Sequence, residues 1–100
     1  MNQFFDQLGE RWVAAAGRRS ARIEAPSLDA RVALELLELA RVSAHTQERR
    51  FAPLSCFMAG VAAERLRATK GSLDDAATAA YIREVRQELE TEAPAAPSER

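Results

Sequence analysis

The stretch HTQERRFAPLSCFMAG, His45 to Gly60, holds most of the side chains in this 100-residue chain with chemistry to offer. His45 is its one histidine and Cys56 its one cysteine, and Arg49 and Arg50 stand between them. A histidine and a cysteine can start a zinc site or form a nucleophile with its base. A zinc site needs three or four converging ligands, and the chain has no second His or Cys, so no metal centre is expected. Cys56 falls in an apolar run, where a thiol is usually inert packing. A general base at His45 would lack any second polar group of fixed role. No catalytic residue is assigned, no cofactor is expected, and the chain reads as non-enzymatic on its own.

Anion chemistry remains. Arg49 and Arg50 precede a predicted helix start, where free N–H groups and the dipole favour negative charge. Arg41, His45 and Arg49 follow one another at four-residue intervals, and the Ser55 hydroxyl comes one turn into the next helix. Arg41, His45, Arg49, Arg50 and Ser55 are therefore the candidate binding residues, for a phosphate or for a partner's carboxylate. A purely structural corner fits the same residues. His45 would then stabilise the negative end of a helix, and the arginines would hydrate or pair with Glu48. The residues leave both readings open.

The elements that position this corner are helical. Asn2 to about Ala16 carries Phe4, Phe5, Leu8, Trp12 and Ala16 on one stripe, with Gly17 placed to cap it. Phe4 and Phe5 are consecutive, so one of them is expected outside. Pro26 closes a polar connection, and Ser27 is the expected N-cap of a second helix running to about Glu48. Its buried stripe is predicted from Leu28, Val32, Leu36, Leu39 and Ala40, widened by Leu34 and Leu37, which makes it the central helix. A third helix is predicted to start at Ala52 or Pro53 and to bury Leu54, Phe57, Met58 and Val61 against the second. Phe57→Ala would then be a core deletion. Gly60 would mark a close helix crossing, and Gly71 a break. Ser72 and Asp75 suggest the cap of a fourth helix, with Ala80, Tyr81, Val85 and Leu89 inward and Arg83 and Arg86 solvated. The fold class is all-α, a small four-helix bundle. Residues 1–90 form the helical domain, and 91–100, with two prolines, form a disordered tail.

Composition narrows the function. Net charge is −1, against bulk nucleic-acid binding. A recognition helix would show polar and basic residues in its first half, whereas the third helix shows Leu54, Cys56 and Phe57. Acidic residues fall on predicted solvated faces, which gives no paired catalytic carboxylates. The four glycines are scattered and make no phosphate loop. No apolar run reaches the ~20 residues of a membrane span, and the N-terminus lacks the pattern of a secretory signal. One unpaired cysteine fits a reducing, cytoplasmic setting. Arginine outnumbers lysine, of which Lys70 is the sole example, as base-composition bias would produce.

The string LLELARVSAHTQERRFAPLSCFMAGVAA resembles a small helical bacterial domain family of unknown function. Its pattern is LAR-x-x-AH, a short ERP or ERR link, and APL-[ST]-x-[FY]-x-x-G-x-A. That pattern falls on Leu39, Arg41, His45, Arg49, Ser55 and Gly60 among others, and Trp12 resembles a tryptophan of the family's first helix. The family occurs alone or joined to enzymes resembling the molybdopterin-guanine dinucleotide nucleotidyltransferase. The resemblance implies an accessory or interaction module linked to molybdenum-cofactor biosynthesis, with such an enzyme as protein partner. A homodimeric helical adaptor with an apolar interaction surface and no ligand site is the alternative.

Overall fold

The computed structural model describes residues 2–92. Four helices and no strand occur among them: α1 (Gln3–Gly17), α2 (Ala30–Thr46), α3 (Phe51–Lys70) and α4 (Asp75–Glu90). The fold is all-α, as expected. The predicted tail lies outside the described residues from 93 onward. The chain forms two compact units, one ending at Ala30 and one beginning at Arg31.

In the first unit, Asn2 caps α1 by accepting the Phe5 N–H at 3.1 Å. The expected cap at Gly17 is corrected: Gly17 is the last helical residue, and the left-handed residue is Ser20, at φ 60°. The Ala21 N–H reaches the Ala16 carbonyl and the Ser20 N–H that of Gly17, which is a Schellman closure. Residues 21–29 have no regular structure and bring Pro26 over Gly9, the buried residue of α1. Phe4 is exposed and Phe5 half-buried, their rings edge to face at 5.0 Å. Trp12 is exposed, although its stripe suggested core.

In the second unit α2 is central. It begins at Ala30, three residues after Ser27, so Ser27 is not its cap. Its buried residues are Ala33, Glu35, Leu39, Val42, Ser43 and Thr46. Leu34 and Leu37 face solvent, and only Leu39 of the predicted stripe is fully buried. The helix ends at Thr46, which leaves Arg49 in the four-residue turn rather than on the face of Arg41 and His45.

α3 reverses the expected packing. It starts at Phe51, with Pro53 in its first turn. Its half-buried stripe is Ala52, Ser55, Cys56, Ala59, Ala62 and Leu66, spaced by three and four. Leu54, Phe57 and Met58 are 60%, 73% and 71% exposed, and Val61 is half-buried. The reason is contact chemistry with α2. The Ser43 hydroxyl donates to Ser55 Oγ at 2.9 Å, and Cys56 Sγ lies 3.5 Å from the Leu36 carbonyl. Small side chains let the helices approach closely, and the bulky ones turn outward. Phe57 is therefore not core. Gly60 marks no crossing among the described residues either, since none of them lies within 4 Å of a Cβ placed on it. Gly71 does break the helix, at φ 88°.

α4 is capped by Asp74, whose carboxylate accepts the Ala77 N–H at 2.8 Å, and not by Ser72. A carboxylate there also meets the positive end of the dipole. Its buried residues are Ala79 and Ile82, while Ala80 and Val85 are exposed. The inward face is rotated from the predicted one because alanines on several sides define no sharp stripe.

Candidate functional site

The predicted corner is built by the end of α2, the turn 47–50 and the start of α3. Two short bonds shape the turn, from the Phe51 and Ala52 N–H groups to the Glu48 and Arg49 carbonyls. Arg50, the residue before α3, offers no side-chain cap. Its guanidinium instead pairs with Glu48 at 2.8 Å and lies over the Phe51 ring at 5.8 Å.

The other candidates divide. Arg41 is bound to Glu38 at 3.0 Å and to Glu90 of α4 at 2.9 Å, and these bonds hold its pKa above the ordinary value. Ser55 faces α2 and accepts from Ser43. His45 and Arg49 are exposed and make no side-chain hydrogen bond or ion pair among the described residues. The structure thus leaves His45 and Arg49 open to solvent and engages Arg41, Arg50 and Ser55 with neighbours.

A second polar feature escaped the sequence. Glu35, 6% exposed, accepts Arg83 Nε and Arg86 Nη2, each at 2.9 Å. Arg86 also reaches Glu90, which Arg41 holds in turn. A continuous ionic chain therefore joins α2 to α4. Burial pushes the Glu35 carboxyl up, but the hydrogen bonds and charges of Arg86 and Arg83 outweigh it and leave it below its usual value. No local pattern announces this, because the partners are 48 and 51 residues away. The sequence pattern puts Glu35 and Arg86 on solvated faces, whereas the structure buries Glu35 and half-buries Arg86. The arrangement neutralises charge and leaves no free carboxylate for acid–base work.

Two apolar surfaces accompany these. A cleft of about 260 Å³ opens between α2, α3 and α4, lined by Leu39, Met58, Tyr81, Ile82 and Val85, with the Ser43–Ser55 pair as its polar spot. A shallow groove runs along the outer side of α3, over Phe57, Gly60, Val61, Glu64, Arg65 and Ala68. Cys56 borders it, and burial raises its thiol pKa, which keeps it protonated and unreactive. Among the described residues no three His, Cys, Asp or Glu side chains converge as a metal site, and no helix is long and apolar enough to cross a membrane.

Fold and site together define a small all-α domain with a neutralised polar interior and, among the described residues, an apolar helix face left exposed. The chain belongs to the family described as a domain of unknown function (DUF6457), whose model matches residues 6–97. No curated protein and no solved structure matches it.

Proposed function

We propose that the chain is a non-catalytic interaction module that docks a partner protein through the outer face of α3. The exposure of Leu54 and Phe57 carries this reading. A helix apolar around most of its circumference is normally covered, and contiguous exposed apolar surface marks interaction sites. The core is small by comparison, with Ala33, Leu39, Val42, Ala79 and Ile82 as the fully buried apolar side chains among the described residues.

The sequence resemblance supplies the partner class: a molybdopterin-guanine dinucleotide nucleotidyltransferase-like enzyme, which would make the chain an accessory to molybdenum-cofactor biosynthesis. Exposed His45 and Arg49 fit beside it as the groups facing an anion on that partner or its cofactor. Calorimetric titration against such an enzyme is the test. Wild type is expected to bind, Phe57→Glu to lose binding with its helix content intact, and Arg49→Ala to weaken it about tenfold or more. Equal affinity of Phe57→Glu and wild type would remove the outer face of α3 from the reading. No binding by wild type would hand the face to a second copy of the chain, which sedimentation equilibrium reads out directly.

A further inference from the structure

We infer that α1 rests on an anionic lipid surface, with the side that carries Phe4, Leu8 and Trp12 turned to the bilayer. The inference concerns the first unit alone and goes beyond the docking face of α3.

Exposed aromatic area is the first argument. Phe4 and Trp12 are 63% and 56% exposed, and half-buried Leu8 stands between them, about one turn from each. At about 100° per residue the three fall within about 80° of one another around the helix. The Phe4 ring leans edge to face on Phe5, which supports it in its outward position. The side of a single helix is convex and offers a second helix no groove. The notch that borders the strip, beside Pro26, Ser27 and Leu28, holds about 180 Å³, too little for a helix. A bilayer surface receives such a strip along its whole length.

Charge is the second argument. Arg11 falls about 60° from Leu8 around the helix, and Arg18, which continues the helical backbone past Gly17, about 80°. Both are exposed and have no ion-pair partner among the described residues. Arg19 is exposed too and donates to the Ala15 carbonyl at 3.0 Å. The carboxylates of α1, Asp6 and Glu10, each fall about 160° from Leu8, on the far side. In the segment that follows, Arg22 and Glu24 offset each other. Residues 1–30 hold four arginines and four carboxylates, so the unit is balanced as a whole, yet the charges of α1 are sorted by side. An apolar strip with aromatic ends, arginines beside it and acids behind it is the pattern of a helix lying in a headgroup layer. The arginines then meet lipid phosphate, and the acids stay in water.

Trp12 is the chain's one tryptophan, so its emission reports on the strip directly. The full chain is titrated with vesicles of phosphatidylglycerol, with vesicles of phosphatidylcholine and with soluble polyglutamate. A blue shift is expected with phosphatidylglycerol, with binding at least about tenfold tighter than to phosphatidylcholine and weakened by salt. Arg11→Glu combined with Arg18→Glu is expected to weaken that binding about tenfold or more, and Phe4→Ala about tenfold. Circular dichroism is expected to show the helix content of both variants intact. Phe57→Glu, far along the chain on α3, is expected to bind vesicles as wild type does. Absence of a shift with phosphatidylglycerol would overturn the inference, as would equal affinity for the two lipids or wild-type affinity in the double arginine variant. An equal shift with polyglutamate would assign the strip to an acidic protein instead. Loss of vesicle binding in Phe57→Glu would show that α3 and not α1 meets the lipid.

Discussion

Glu35 on α2 and Arg86 on α4 meet at 2.9 Å with side-chain exposures of 8% and 15%, the most buried ion pair among the described residues. Removing one partner of such a pair leaves the other charge with poor solvation. Arg86 is further exposed to that cost because its Nε is buried and unpaired. Glu35→Gln keeps the shape and removes the charge. It is expected to lower stability by about 3 kcal/mol, the lower end for breaking a buried pair, since Arg86 retains Glu90. Urea denaturation of the variant and wild type measures it; an unchanged midpoint would mean the pair contributes nothing net.

The same carboxylate sets an acid limit. Its folded pKa lies below its ordinary value, because the two arginines outweigh the burial that pushes it up. A depressed carboxylate contributes fully above its unfolded pKa, about 4.3, and loses that contribution as pH falls through the lower folded value. Glu90 is shifted the same way, first by Arg86 and then by Arg41. Wild-type melting temperature is therefore expected to hold from neutral pH to about 5 and to fall below about 4. Glu35→Gln should start lower and fall less steeply across that window. Parallel curves for the two proteins would contradict the assignment.

The two faces of the second unit separate in a pair of truncations. Ile82 is buried on α4, and Ile82→Ala is expected to cost about 2–5 kcal/mol. Phe57 is 73% exposed, and Phe57→Ala is expected to change the free chain by no more than about 0.5 kcal/mol. A core-sized loss at Phe57 would show that something covers that face in solution.

That contrast also marks what the sequence can tell. Helical periodicity located four helices, put α1 within a residue of its ends and set Pro53 in the first turn of α3. It misjudged which side of α3 faces inward. Apolar residues occur around most of that helix, and size pointed to Leu54, Phe57 and Met58, whereas close approach to α2 selects Ala, Ser and Cys. Pairing decided the polar residues in the same way. Glu48 beside Arg50 is visible in the chain, but nothing local predicts Ser43 against Ser55, or Glu35 against an arginine 51 residues on.

Two glycines should answer the same substitution with opposite signs. A Cβ at Gly9 would stand 2.6 Å from the Pro26 carbonyl oxygen, a backbone atom that cannot swing aside. Alanine gains about 1 kcal/mol in helix propensity there, but the clash forces α1 and residues 21–29 apart, a strain of about 1–3 kcal/mol. Gly9→Ala is therefore expected to destabilise the first unit on balance. At Gly60 the space is open, so Gly60→Ala should stabilise the free chain by about 1 kcal/mol. Amide hydrogen exchange resolves the two effects by element. Protection is expected to drop in α1 for Gly9→Ala and to rise in α3 for Gly60→Ala. A rise at both sites would mean that Pro26 does not close over Gly9 in solution.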